Sequence, residues 1–215
     1  MSEIFSKFVH IAADHMHIEG TLELPENPQG IVLFAHGSGS SHHSPRNNYV
    51  AQVLRLSGIG TLLMDLLSTE EETDYQMRFD IQLLSRRLLA ATQWLKTETA
   101  TQHLPVGYFG ASTGAAAALQ AAAMPGNKIS AVVSRGGRPD MTGADELLRV
   151  ACPTLLLIGE LDDIVIKLNQ KAYEHLNCIK QLTIIHGATH LFDEPGTLEE
   201  VASLASNWFK RYLVT

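Results

Sequence analysis

A single serine sits between two glycines in Gly110-Ala111-Ser112-Thr113-Gly114, where a short apolar run meets an alanine-rich one. Gly-x-Ser-x-Gly is the pattern of a nucleophile elbow, a tight turn from strand to helix that displays the serine hydroxyl. The glycines lack a Cβ, so the two elements can approach closely. A helix starting just after the serine aims free N–H groups and its positive dipole end at that point. The chemistry on offer is attack by a hydroxyl and stabilisation of the oxyanion that follows.

A serine hydroxyl is a weak nucleophile and needs a base, and the base needs an acceptor to fix its tautomer. His190, in Gly187-Ala188-Thr189-His190, is the base candidate. Asp162, in Gly159-Glu160-Leu161-Asp162, is the candidate acid, and Asp163 beside it stays open as an alternative. The oxyanion donors are expected from the backbone N–H of Thr113 and that of Ser38, in the loop His36-Gly37-Ser38-Gly39. Arg46 and Arg135, with Arg138, are candidates for holding an anionic substrate group. His186 reads as structural and His36 as loop-shaping. His42 and His43 read as loop residues near the site, because no third zinc ligand accompanies them.

Each of these residues must be delivered by an element. Ile31 to Ala35, Thr61 to Met64, Leu104 to Ala111, Lys128 to Ser134 and Pro153 to Ile158 are continuous apolar runs, as strands buried on both faces require. Gln181 to Ile185 is the last strand. Between them lie helices expected over Tyr49–Ser57, Arg78–Thr97, the alanine run after Ser112, Thr142–Arg149, Ile166–Leu176 and Leu198–Leu213, some marked by three- and four-residue apolar spacing. Alternation of strand and helix from residue 31 onward predicts a parallel sheet covered on both faces. Ahead of it, Phe8–Ile11 and His15–Leu24 alternate apolar and polar residues and predict two antiparallel strands turning at Ala12-Ala13-Asp14. His10, His15 and His17 then face solvent. The acidic stretch Asp65 to Asp74 lacks the spacing of a calcium loop and reads as a solvated surface segment. Ser112, Asp162 and His190 each follow a strand, so one edge of the sheet should gather all three.

Composition sets the bounds. The chain has 215 residues, 45% hydrophobic and 18% charged, with 16 basic against 23 acidic residues for a formal net charge of −7. That length suits one α/β domain over 1–215. The charge excludes a nucleic-acid footprint. Two cysteines, Cys152 and Cys178, are too few for a disulfide framework and read as free thiols of a reducing compartment. Met1 to Lys7 holds no apolar signal core and no run is long enough for a bilayer, so no membrane partner and a cytoplasmic location are expected.

On His36-Gly37-Ser38-Gly39, Gly110-Ala111-Ser112-Thr113-Gly114, Gly159-Glu160-Leu161-Asp162 and Gly187-Ala188-Thr189-His190, the chain resembles the α/β hydrolases, within them the dienelactone hydrolase-like family, over residues 8 to 213. The chain order Ser, Asp, His is that of the fold. The resemblance implies a mostly parallel eight-stranded sheet and a serine hydrolase acting on small ester-type substrates. True dienelactone hydrolases carry cysteine where Ser112 stands, which turns the expectation toward a general esterase or thioesterase. The short segment between Arg138 and Pro153 leaves no room for a large lid. The expected chemistry is two-step acyl transfer through an acyl-enzyme on Ser112, with no metal or organic cofactor. Two rivals stand beside it: a non-catalytic binding protein on the same fold, and an acyltransferase. A homodimer stays open.

Overall fold

The computed structural model describes residues 4–213; Met1 to Glu3 of the expected leaderless start lie outside them. Eight strands form one sheet in the order β1-β2-β4-β3-β5-β6-β7-β8. β1 (Phe5–Ala13) and β2 (Met16–Leu24) pair antiparallel, and β2 pairs antiparallel with β4 (Gly60–Met64). The rest is parallel: β4 with β3 (Ile31–Ala35), then β5 (Val106–Ala111), β6 (Ala131–Arg135), β7 (Thr154–Gly159) and β8 (Lys180–Ile185).

β3 to β7 carry unbroken apolar runs because helices cover both of their faces. Alternate residues then divide between two cores. Leu33, Leu62, Tyr108, Val132 and Leu156 face α2 (Ile81–Thr97), α3 (Thr113–Ala122), α4 (Ala144–Arg149) and α5 (Asp163–His175). Val32, Phe34, Leu63, Phe109 and Leu155 face α1 (Pro45–Leu56) and α6 (Thr197–Tyr212). The alanines of α3 are small enough to bring that helix against the centre of the sheet, and Ala115 to Ala118 are fully buried. No helix among the described residues is long and apolar enough to cross a membrane.

Several expected boundaries move, each for a local reason. β1 begins at Phe5 and keeps Ala12 and Ala13, so the turn is Asp14-His15, with Asp14 at φ 53°. His10, His15 and His17 are exposed. α1 starts at Pro45, not Tyr49: Ser44 caps it by accepting from the Asn47 N–H at 3.4 Å, and proline is preorganised for a first helical position. α2 starts at Ile81, because the Asp80 carboxylate accepts from the Leu83 N–H at 3.0 Å and ends the preceding turn. α5 starts three residues before Ile166, at Asp163.

The acidic stretch is less solvated than its charge suggests. Glu71 accepts from the Ser68 N–H at 2.9 Å and pairs with Arg87 at 2.9 Å, and Asp14 takes the other side of that guanidinium at 2.9 Å. Arg87 is buried, so two carboxylates from distant segments neutralise it and pin the stretch to α2. Cys152 is buried, Cys178 is half-buried, and both are free; burial pushes the Cys152 thiol up to about 12.

The strand order also places the site. From β3 the chain moves to β4 on one side, then returns to β5 on the other. Ligands of open α/β sheets bind beyond the strand carboxyl ends at such a switch point. The loop from His36 to Ser44 and the turn at Ser112 flank it.

Candidate active site

Ser112 joins β5 to α3 with φ 50° and ψ −118°, a left-handed backbone rare for a residue with a side chain. Packing enforces it. A Cβ on Gly110 would lie 2.4 Å from Ala115 Cα, and one on Gly114 would lie 2.1 Å from the Ala35 carbonyl oxygen and 2.4 Å from that of His36. Neither position admits a side chain, so strand, turn and helix close as tightly as the motif implies. The Ser112 N–H donates to the Arg135 carbonyl at 3.2 Å, and its carbonyl accepts from Ala115 and Arg138 at 3.1 Å each. Its side chain does not cap α3.

His190 and Asp162 come together. The imidazole Nδ1 is 2.6 Å from Asp162 Oδ2, the side chains being 39% and 15% exposed. Asp162 occupies the N-cap position of α5 yet makes no capping bond, because its carboxylate turns to His190 instead. Asp163 opens the helix beside it. The imidazole rests against the chain that follows β6: a Cβ on Gly136 would be 3.4 Å from His190 Cε1. Gly136 adjoins Arg135, whose carbonyl holds the Ser112 N–H. Serine and imidazole thus share one rim; among the described residues no hydrogen bond joins the Ser112 hydroxyl to His190, a bond that sites of this kind commonly tighten only around substrate.

The expected oxyanion donors flank the serine. Thr113 is the first residue of α3, where N–H groups have no acceptor within the helix. The Ser38 N–H is engaged: it donates to Thr113 Oγ1 at 3.0 Å, tying the loop after β3 to the elbow. Gly37 lies against the serine too, 3.2 Å from Ser112 Cβ by the same construction. Arg46, in the first turn of α1, reaches Asp193 at 3.1 Å, while Arg138 pairs with Asp140. Arg135, the last residue of β6, is buried.

Three further residues, the carboxylates of Asp65, Glu160 and Glu194, hold the site's loops and were not singled out as site residues from the sequence. Asp65, just past β4, accepts from both the backbone N–H and Nδ1 of His42 at 2.7 Å, anchoring the His36–Ser44 loop. His36 Nε2 accepts from the Leu66 N–H at 3.0 Å, which leaves the proton on Nδ1, toward the Gly37 carbonyl. His42 is accordingly a buried residue of that loop. Glu160 accepts from the Gly187 N–H at 2.9 Å and pairs with the exposed His186 at 2.7 Å. Those two contacts hold its carboxyl below the usual glutamate range, the Gly187 bond first. Glu194 accepts from the Thr189 N–H and hydroxyl at 3.1 and 2.7 Å, and is lowered likewise. The signal that could have found these residues is position: each carboxylate follows a strand or adjoins a loop already suspected.

A family model described as an alpha/beta hydrolase domain matches residues 28–207. The chain is similar to a dienelactone hydrolase from Anabaena variabilis, with 52% identity and a TM-score of 0.94 over 98% of this chain and 99% of that one. It shares the fold of Est1E from Butyrivibrio proteoclasticus, at 16% identity and a TM-score of 0.81 over 95% and 98% of the two chains. Two Mycobacterium tuberculosis proteins, provisionally named phosphoribosyl transferases, are 56% identical over 205 residues, which is 95% of this chain and 46% of theirs. The chain therefore spans about half the length of the curated relatives it matches.

Proposed function

Because this chain belongs to the α/β hydrolases, in their dienelactone hydrolase-like family, we propose that it is a serine hydrolase of small carboxylic esters, thioesters or lactones. The observation that carries the reading is the 2.6 Å bond between His190 Nδ1 and Asp162, on the rim that also holds Ser112. The carboxylate keeps the proton on Nδ1, so Nε2 is free to act as base.

In the proposed cycle His190 takes the Ser112 proton as the oxygen attacks the carbonyl carbon. The C–O bond forms, and the carbonyl electron pair moves onto oxygen. The N–H groups of Thr113 and Ser38 hold that oxyanion; Ser38 turns from the Thr113 hydroxyl to do so, which concentrates its bond in the transition state. The electron pair returns, the leaving group departs with the His190 proton, and water activated by His190 releases the acid from Ser112. A second dyad, His42 with Asp65, keeps the Ser38 loop in place.

The phosphoribosyl transferase name belongs to proteins about twice as long as the matched region, and it is not carried over to this chain. Turnover of a p-nitrophenyl ester panel tests the proposal. Hydrolysis that is lost in Ser112→Ala supports it. Inactivity toward every oxygen and sulfur ester, with the protein folded, would favour a binding role. Added alcohol in the same assay separates the rival of acyl transfer, which would divert product into a new ester.

A further inference from the structure

Arg135 is only 8% exposed, and among the described residues its Nη1 has no hydrogen-bond partner. It ends β6 on the face shared with Ala131 and Val133, toward α1 and α6. Two charged neighbours act on it there. Arg46 comes from the first turn of α1, and Asp193 lies three residues beyond His190. Arg46 Nη1 donates to Asp193 at 3.1 Å, while Arg46 Nε is buried without a partner. Asp193 is thus taken up by the part-exposed Arg46, no carboxylate among the described residues lies within ion-pair distance of Arg135, and the Arg135 charge stands unpaired where water hardly reaches. Burial, with Arg46 adding to it and Asp193 opposing, pulls the Arg135 guanidinium down to about 10.

A buried charge without its counterpart is costly, and an unsatisfied buried guanidinium asks for a ligand. Its location says which reaction that ligand would join. The Arg135 carbonyl holds the Ser112 N–H, and the next residue, Gly136, packs on the His190 ring.

We propose that Arg135 and Arg46 form an anion subsite of the Ser112 site, filled from within the chain by Asp193 until a substrate displaces it, and that the substrate carries a phosphomonoester. The charge count selects the phosphate. Exchanging Asp193 for another monocarboxylate leaves the imbalance unchanged. A phosphomonoester, near −2 at neutral pH, matches two guanidiniums and suits their planar fork of donors. The substrate half of this inference rests on the hydrolase reading above; the anion site itself does not.

Inorganic phosphate is the probe, titrated calorimetrically at low ionic strength into the whole chain, with acetate as the monocarboxylate reference. Phosphate should bind at least about tenfold more tightly than acetate, about 1.4 kcal/mol. Arg46→Gln should weaken it at least about tenfold, and Asp193→Asn should tighten it severalfold by removing the internal competitor. Arg138→Gln, an arginine already paired with Asp140 outside the subsite, should leave it unchanged. Competition between phosphate and a neutral p-nitrophenyl ester then places the site beside Ser112. Absent binding, or binding equally reduced by Arg46→Gln and Arg138→Gln, overturns the anion site. Acetate binding as tightly as phosphate overturns the phosphomonoester, and non-competitive inhibition overturns the subsite. If no ester is hydrolysed, calorimetry still decides the anion site, and the failure falls on the hydrolase reading alone.

Discussion

Replacing Gly114 by alanine tests whether tight packing makes the elbow. The added Cβ would stand 2.1 Å from the Ala35 carbonyl oxygen and 2.4 Å from that of His36, where real Cβ atoms essentially never come within 3.0 Å. Both obstacles are backbone, so no side chain can swing aside. Either α3 or the end of β3 must withdraw by about 1 Å, and β3 leads directly into the loop that carries Ser38. Overpacking of this kind costs about 1–3 kcal/mol, and alanine's better helix propensity returns up to about 1 kcal/mol. The net is roughly 0–3 kcal/mol, or a drop of up to about 12 °C in melting temperature at this chain length. Activity should suffer more, since a misplacement of about 1 Å among reacting groups costs on the order of 100-fold. Thermal melts by circular dichroism and kcat/KM on a neutral ester, both in Gly114→Ala, measure the two effects. A variant that melts like the wild type and keeps its turnover would refute the argument that this contact sets the geometry.

Two further perturbations separate chemistry from stability. Asp162→Asn should lower kcat by roughly 10³- to 10⁴-fold with little change in melting temperature, because the amide no longer enforces the His190 tautomer; a loss under about tenfold would move the acid role to Asp163 or elsewhere. Tyr108 is fully buried, bonded to Thr92 at 2.6 Å and to Asn127 at 3.1 Å, and burial pushes its hydroxyl up to about 12. Its folded value exceeds the unfolded one, so the associated stability is whole below about pH 10 and is lost as pH rises toward 12. Denaturant melts across that window should show a decline of roughly 2–3 kcal/mol that Tyr108→Phe removes; an unchanged slope in the variant would contradict the buried assignment, with Cys152 supplying the background titration.

The sequence carried the strands, and the positions of the candidate residues at their ends, far better than the contacts that steady them. β3 was legible to the residue, because Ile31 to Ala35 is an apolar run bounded by Gly30 and His36-Gly37. Strand ends also located Ser112, Asp162 and His190 on one edge, since parallel strands all open the same way. The first turn of α1 was lost because periodicity reports a packed face, and Arg46 to Asn48 precede that face; the cap at Ser44-Pro45 was the better signal. The bonds of His42 to Asp65 and of Glu71 to Arg87 join residues 23 and 16 apart in sequence. Nothing in a charge run says which cation it will meet. Likewise the bond from Ser38 to Thr113, 75 residues on, follows only from the adjacency of β3 and β5.

In the proposed cycle one serine carries the acyl group. A fluorophosphonate probe followed by intact-mass and peptide analysis tests it most directly. A single adduct on Ser112 is expected, absent in Ser112→Ala and forming far more slowly in His190→Ala. An adduct on any other residue, or labelling that survives Ser112→Ala, would contradict it.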